Sequence, residues 1–160
     1  MFDRFDHDAR RALVRAAERE AAELGSSTVQ AEHLLLALAG EPSTPTGALL
    51  AAEGLDHAGV LQALERETER SLAAVGVGLA DVVPPVPATP ARRRRPFGAS
   101  AKSALHRAVM AAVAREDRRI TRPHLLLGLL RADRGTVPRA LAAAGVDRGA
   151  LAAGTERLLG

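Results

Sequence analysis

The chain has 160 residues, which is enough for one domain or two very small ones. Hydrophobic residues make up 47% and aromatic residues 2%, and the absence of cysteine excludes a disulfide framework, thiolate chemistry and a Cys-ligated metal site. The net charge of +3 is unevenly divided, with 7 basic against 13 acidic residues in 1–75 and 15 basic against 6 acidic residues in 76–160.

The composition favours an all-α protein. Ala and Leu, which are strong helix formers, supply most of the apolar residues, whereas residues typical of strands are scarce apart from Val. The N-terminus, "MFDRFDHDARR", is interrupted by charge and does not resemble a signal peptide. No apolar run approaches the ~20 residues of a membrane span. We therefore expect a cytoplasmic protein with no membrane contact.

The first predicted helix runs from about Asp8 to Leu24, capped by Asp6 or Asp8 and ended by Gly25. Its expected buried face has the helical spacing i, i+4, i+8 and i+11. The residues on that face are Leu13, Ala17, Ala21 and Leu24.

Three further helices follow in the first half. Ser27 or Thr28 is expected to cap a helix over 29–39, whose run of three leucines is apolar around most of its circumference and predicts a buried centre. The "EPSTPTG" stretch is predicted to be a loop before a short helix over 48–53, which ends at Gly54. Asp56 should cap the fourth helix, to about residue 73.

The pattern stops in a linker and then repeats. Residues 76–96 contain "VPPVPATPARRRRP", with five prolines and four consecutive arginines, and predict a partly extended linker. Beyond it, "HLLLGLL" matches the earlier "HLLLALA" at a spacing of 91 residues, which pairs His33 with His124. The repeat predicts eight helices in two pseudo-symmetric four-helix units, 1–75 and 97–160, which form one compact domain.

The pattern "MFDRF…AR…A…EH-LLLAL…LL…-GLD", followed by "F…A…L…H-LLLGLL…L…-GVD", resembles the Clp N-terminal domain of Hsp100 unfoldases, especially the ClpC type. This resemblance covers nearly the whole chain. It implies an eight-helix bundle that recruits substrates and adaptors for Clp unfoldase–proteases. It also implies phosphoarginine binding, as in some members, or binding of cyclic peptide antibiotics, as in actinobacterial members.

We expect a binding module rather than an enzyme. The chain has no G-x-x-x-x-G-K-[ST] motif, and Lys102 lies in "SAKSA" without the glycines that hold a phosphate. Serine, aspartate and histidine are not spaced as a nucleophilic motif, and no cofactor is indicated. The chain is either a stand-alone relative or a domain excised from a larger ATPase.

Glu32 is the sharpest candidate for ligand binding. In the first helical turn it complements the helix dipole, and the family resemblance implies that it grips the guanidinium of phosphoarginine, since a carboxylate accepts two parallel N–H bonds. The matched position in the second repeat is Pro123, which has no acceptor.

The N-terminus carries the other candidates. Asp6 and His7 stand where the family usually has a threonine, and an aspartate there would repel a phosphate. We therefore expect weak or no phosphoarginine binding and a greater role for an apolar surface near Phe2 and Phe5. The candidate ligand-binding residues are Phe2, Phe5, Asp6, His7 and Glu32.

Two other interpretations were weighed. His33 and His124 lack the i+4 partner of a helical zinc site, so we expect paired core histidines, each hydrogen-bonded at its helix start, and no metal. The basic second half, with Arg92–Arg95, offers an alternative function in which the chain is a regulatory protein that binds nucleic acid. The absence of an aromatic stacking platform disfavours it.

Overall fold

The computed structural model describes residues 7–81 and 94–160, with the side chains of His7 and Leu79 left out. Eight α-helices lie within these ranges and no strand does, which confirms the predicted all-α fold. In chain order they are α1 (His7–Glu23), α2 (Ala31–Ala39), α3 (Pro45–Ala52), α4 (His57–Ala74), α5 (Ala99–Ala114), α6 (Arg122–Leu130), α7 (Thr136–Ala143) and α8 (Arg148–Arg157).

The two leucine-rich helices form the centre of the protein, as the sequence predicted. Both α2 and α6 are nine residues long, and none of their leucines is more than 2% exposed. A short helix buried on all sides must be surrounded by other elements, and α2 contacts helices of both halves, namely α1, α3 and α4 of its own and α5, α6 and α7 of the other.

The halves are related by a pseudo-twofold arrangement. Helix α4 packs on α7 of the other half, and the equivalent helix α8 packs on α3. The repeats therefore share one core rather than forming two separate domains. The predicted limits of the repeats and of the linker stay predictions, because residues 82–93 lie outside the described part of the chain.

Polar contacts also join the halves. Arg122, at the start of α6, binds Glu41 beyond α2 through two hydrogen bonds, one from Nη2 to Oε1 at 3.2 Å and one from Nε to the other carboxylate oxygen. Val29 forms an isolated parallel bridge with Phe97, in which its N–H donates to the carbonyl oxygen of Pro96 at 2.9 Å.

Several predicted helix boundaries need correction. Helix α2 is preceded by Gln30 at its N-cap, so the prediction of Ser27 or Thr28 was wrong. Helix α3 begins at Pro45, because proline fits the first helical position and Thr44 Oγ1 accepts a hydrogen bond from the N–H of Gly47 at 3.1 Å.

Other local predictions were confirmed or corrected by burial and capping. Asp56 caps α4, and its Oδ1 accepts from the N–H of Gly59 at 2.8 Å, as predicted. Leu24 was expected on the buried face of α1 but is 42% exposed, because α1 ends one residue earlier and the chain turns away. Among the described helices, none is long and apolar enough to span a bilayer.

Matched turns follow α1 and α5 but differ in strain. Gly25 has a φ of 72°, and the matched residue, Glu116, has a φ of 60°. In both turns the next N–H closes the helix end, from Ser26 to the carbonyl of Ala21 at 2.8 Å and from Asp117 to that of Ala112 at 2.9 Å. Glycine adopts this left-handed conformation freely, whereas a residue with a Cβ is strained there.

We predict that Glu116→Gly will stabilise the protein by about 0.5–1 kcal/mol, because relief of left-handed strain exceeds the added entropy of the unfolded chain. Gly25→Ala, the matched control, should destabilise it by about 1 kcal/mol. Urea unfolding monitored by circular dichroism measures both. A destabilised Glu116→Gly protein would contradict the argument from strain.

Candidate functional site

Of the five candidate ligand-binding residues, Glu32 alone has a described side chain. Phe2, Phe5 and Asp6 lie outside the described residues, and His7 is the first residue of α1 with its side chain left out. Glu32 lies in the first turn of α2 and is half-buried. The candidate site is therefore defined by Glu32 and the residues around it.

Glu32 lies where α2 meets α4 and α7, beside an ion pair that links the two halves. Arg139 of α7 donates from Nε to Oε1 of Glu67 at 2.8 Å, and the Ser71 hydroxyl donates to the same oxygen at 2.6 Å. Burial opposes the charge on Glu67, but these hydrogen bonds outweigh it and lower its pKa. The ion pair is thus a fixed feature of the contact between α4 and α7.

The Glu32 carboxyl is in a less favourable environment. Burial raises its pKa above the usual value, the nearby Glu67 carboxylate adds to the rise, and a backbone hydrogen bond and Arg139 oppose it. A cation bound next to Glu32 would therefore stabilise the charged form of this carboxyl, which its surroundings disfavour.

Two cavities share Glu32 and Thr136 as wall residues. The larger has a volume of about 650 Å³, and we call it the acidic groove because the described residues that line it include three glutamates and no arginine or lysine. Its lining residues are Leu24, Ser26, Glu32, His33, Leu61, Leu64, Glu65, Thr68, Glu69 and Thr136. The smaller, about 320 Å³, has Arg107, Arg134 and Arg139 in its lining.

The charged contact around Glu32 is not repeated at the equivalent place in the other half. The positions that match Glu32, Glu67 and Arg139 at a spacing of 91 are Pro123, Leu158 and Ala48. The equivalent contact of α6 with α8 and α3 is therefore apolar at three positions where the contact of α2 with α4 and α7 is charged. Among the three glutamates of the groove, only Glu65 has a glutamate at its matched position, so the full set of carboxyl groups occurs once.

We did not predict Glu65, Glu67, Glu69 or Arg139 as site residues from the sequence. A signal for Glu67 was present, since a charged residue at a repeat position whose partner is a leucine indicates a local departure from the shared core. The pairing of Glu67 with Arg139 could not be found in this way, because it joins residues 72 apart that meet only in the folded protein.

His33 and His124 were predicted to be core histidines bonded at their helix starts, and this is confirmed. Nδ1 of His33 accepts from the N–H of Gln30 at 2.8 Å, and Nδ1 of His124 accepts from that of Thr121 at 3.0 Å. Both are at most 2% exposed. Because Nδ1 is an acceptor, the proton of each neutral ring lies on Nε2.

The two Nε2 atoms differ in their partners. Nε2 of His124 donates to Oδ2 of Asp117 at 2.9 Å, but the residue that matches Asp117 in the first half is Ser26. The Ser26 hydroxyl donates instead to the carbonyl oxygen of Thr28 at 2.7 Å. Burial lowers the pKa of His33 to about 4, so the ring is neutral at pH 7.

Nε2 of His33 faces the acidic groove. No described residue forms a hydrogen bond with this atom. In the described part of the chain, every side-chain nitrogen or oxygen that is fully enclosed has a partner, so Nε2 of His33 is not fully enclosed. The atom must therefore reach the surface of the cavity that its residue lines. The groove thus combines a neutral N–H donor with three carboxyl groups. Within 7–81 and 94–160, no group of three metal-ligating residues is found.

Comparison with known proteins identifies the fold and the repeats. The family model of the Clp repeat (R) N-terminal domain matches residues 4–88 and 96–160. No curated protein sequence matches the chain significantly.

Solved structures agree with the family match. The N-terminal domain of the caseinolytic protease-associated chaperone ClpD from Arabidopsis thaliana is 26% identical, with 100% of this chain and 97% of that one covered and a TM-score of 0.70. The Hsp104 N-terminal domain from Candida albicans is similar in fold, at 19% identity, 99% and 92% coverage and a TM-score of 0.63. A structure from a malarial protein secretion system is also similar in fold, at 18% identity, with 96% of this chain and 93% of that one covered and a TM-score of 0.65.

The buried neutral His33 predicts a pH-dependent stability. The pKa of His33 is near 6.5 in the unfolded state and about 4 in the folded state. Below pH 6.5 the unfolded state therefore binds a proton that the folded state does not, and the free energy of unfolding falls as the pH drops. Between pH 7 and pH 5 the loss from this residue should be about 2 kcal/mol.

Chemical denaturation at the two pH values, compared with His33→Asn, measures this loss. Asparagine can still accept from the N–H of Gln30 but does not titrate. His106→Asn, at an exposed position, is the control and should keep the wild-type pH dependence. Equal pH dependence in the wild type and His33→Asn would refute the assignment.

Proposed function

Because the chain belongs to the Clp repeat (R) N-terminal domain family, we propose that it is a non-enzymatic module that binds proteins or peptides for a Clp unfoldase–protease. It would recruit substrates or adaptors to that machine, or compete with the unfoldase's own domain for them. The Clp N-terminal domain is the substrate- and adaptor-binding part of Clp unfoldases, and kinship with it also favours a cytoplasmic location.

The acidic groove is the observation that carries this proposal. It lies where both halves meet, has a volume of about 650 Å³ and combines apolar, acidic and hydrogen-bonding groups. Ligand sites in proteins typically have this size and this mixture of an apolar lining with a few polar groups. A surface of this kind suits the side chains of a short peptide segment.

Arginine phosphorylation is a weaker candidate signal for this chain. Arg139 already lies within electrostatic range of Glu32, and a phosphoarginine guanidinium would have to share that carboxyl with it. The second repeat has Pro123 in place of the glutamate, and the family resemblance implies that Asp6 would add negative charge near the phosphate. Cyclic peptides are a further ligand class to be tested.

Affinity capture tests the proposed function. The immobilised chain should retain Clp subunits or their adaptors, identified by mass spectrometry, from a lysate of the source cell at physiological salt. If the alternative nucleic-acid function holds instead, DNA should be retained, and its affinity should fall steeply between 50 and 200 mM salt. Retention of DNA without any Clp component would overturn the proposal.

Calorimetry with free phosphoarginine tests the ligand. We expect weak or no binding by the wild type, and stronger, one-to-one binding by Asp6→Thr because a repulsive charge is removed. Adding Glu32→Gln to Asp6→Thr should abolish that binding, since the amide lacks the charge that strengthens a guanidinium bond. Glu53→Gln, at an exposed position outside both cavities, is the control.

A tight two-site isotherm from the wild type would contradict this prediction. It would mean that neither Asp6 nor Pro123 prevents phosphoarginine from binding.

A further inference from the structure

Three groups of the acidic groove have no ion-pair or hydrogen-bond partner among the described residues, namely the carboxylates of Glu65 and Glu69 and the Nε2 of His33. Building on the protein-binding function above, we propose that this groove binds an unphosphorylated segment of a partner protein in which an arginine or lysine stands next to an apolar residue. A carbonyl oxygen of that segment accepts the Nε2 proton of His33, and its cationic side chain pairs with the glutamates of α4.

The charge of the groove is unbalanced. Glu65 and Glu69 stand one turn apart on α4, both exposed, and neither forms an ion pair within the described residues. Like charges four residues apart on a helix repel each other. A cation placed between them relieves that repulsion and gains attraction to both, and Glu32 adds a third carboxyl to the same cavity.

The floor of the groove is apolar and only partly covered. Leu61 and Leu64 pack against the core but stay half-exposed on α4, and Leu24 is 42% exposed at the end of α1. An apolar side chain laid over these leucines would remove their surface from water, at roughly 25 cal/mol per Å². The combination of carboxyl groups and leucines selects a segment that is both basic and apolar.

His33 is the independent sign of a ligand. The residue is only 2% exposed, yet its Nε2 lies at the groove surface without a partner among the described residues. A carbonyl oxygen of a bound segment would replace groove water as the acceptor of this proton. In the second repeat Asp117 satisfies the same atom of His124, so an acceptor from outside the chain would complete the first site in the same way.

An arginine of the chain bonds to the backbone of a residue that lines the groove. Arg95 donates from Nε to the carbonyl oxygen of Ser26, a residue of the groove lining, at 3.0 Å. The contact places a guanidinium beside the acidic cavity within the fold itself. This contact is to a backbone carbonyl, so the glutamates of α4 stay available to a cation from a partner.

Fluorescence anisotropy with labelled ten-residue peptides tests the proposal on the full chain. One peptide alternates leucine with arginine, a second replaces arginine with its neutral isostere citrulline, and a third replaces it with glutamate. We expect the arginine peptide to bind best, with an affinity that falls as salt increases. Equal binding of the citrulline peptide would overturn the proposal.

Variants locate the binding surface. Glu65→Gln with Glu69→Gln should weaken binding of the arginine peptide about three- to tenfold, as expected for two partly exposed ion pairs. Glu53→Gln with Glu116→Gln removes the same charge at exposed positions outside the groove and should change the affinity less than about twofold. An equal loss in both double variants would point to general charge attraction and refute the site.

Nuclear magnetic resonance tests the role of His33 directly. The Nε2 proton of His33 should shift on addition of the arginine peptide, while that of His124, bonded to Asp117, should not. An unmoved His33 signal in the bound state would refute the hydrogen bond. Failure of all three peptides would overturn this inference but not the proposed function, which the capture of Clp subunits or adaptors tests separately.

Discussion

The burial of two short helices at the centre of the molecule is the constraint on which the rest of the structure depends. Helices α2 and α6 expose almost no leucine surface, so every face of each must be covered by another element. One four-helix repeat does not cover its central helix, since α5, α6 and α7 of the second repeat also lie against α2. The halves are therefore bound into one core, and the contact of α2 with α4 and α7, where Glu32 lies, is a consequence of that packing.

The uneven charge of the chain has an internal use. The first half is acidic and the second basic, and the structure pairs Glu41 with Arg122 and Glu67 with Arg139 across the contact between them. Part of the basic charge that suggested nucleic acid thus neutralises the other half of the same protein. Partly buried pairs of this kind add little to stability, because the cost of desolvation offsets their attraction.

Departures from the internal symmetry created the candidate site. A perfect duplication would carry two equivalent seams, but Glu32, Glu67 and Arg139 are matched by Pro123, Leu158 and Ala48. The histidines show the same effect, because Asp117 satisfies His124 while Ser26 leaves Nε2 of His33 open to the groove. One half thus keeps the packing role of the repeat, and the other gains a polar surface suited to binding.

The sequence by itself determined the helical class, the duplication, the buried leucine runs, the cap at Asp56 and the bonded histidines. All of these follow from local pattern, since periodicity and capping act within a few residues or at a fixed repeat spacing. Only the tertiary structure decided that Glu67 meets Arg139, that Leu24 is exposed and that one cavity gathers Glu32, Glu65, Glu69 and His33. These features depend on how α4 crosses α7 and where α1 ends, and neighbours along the chain do not encode contacts between residues so far apart in sequence.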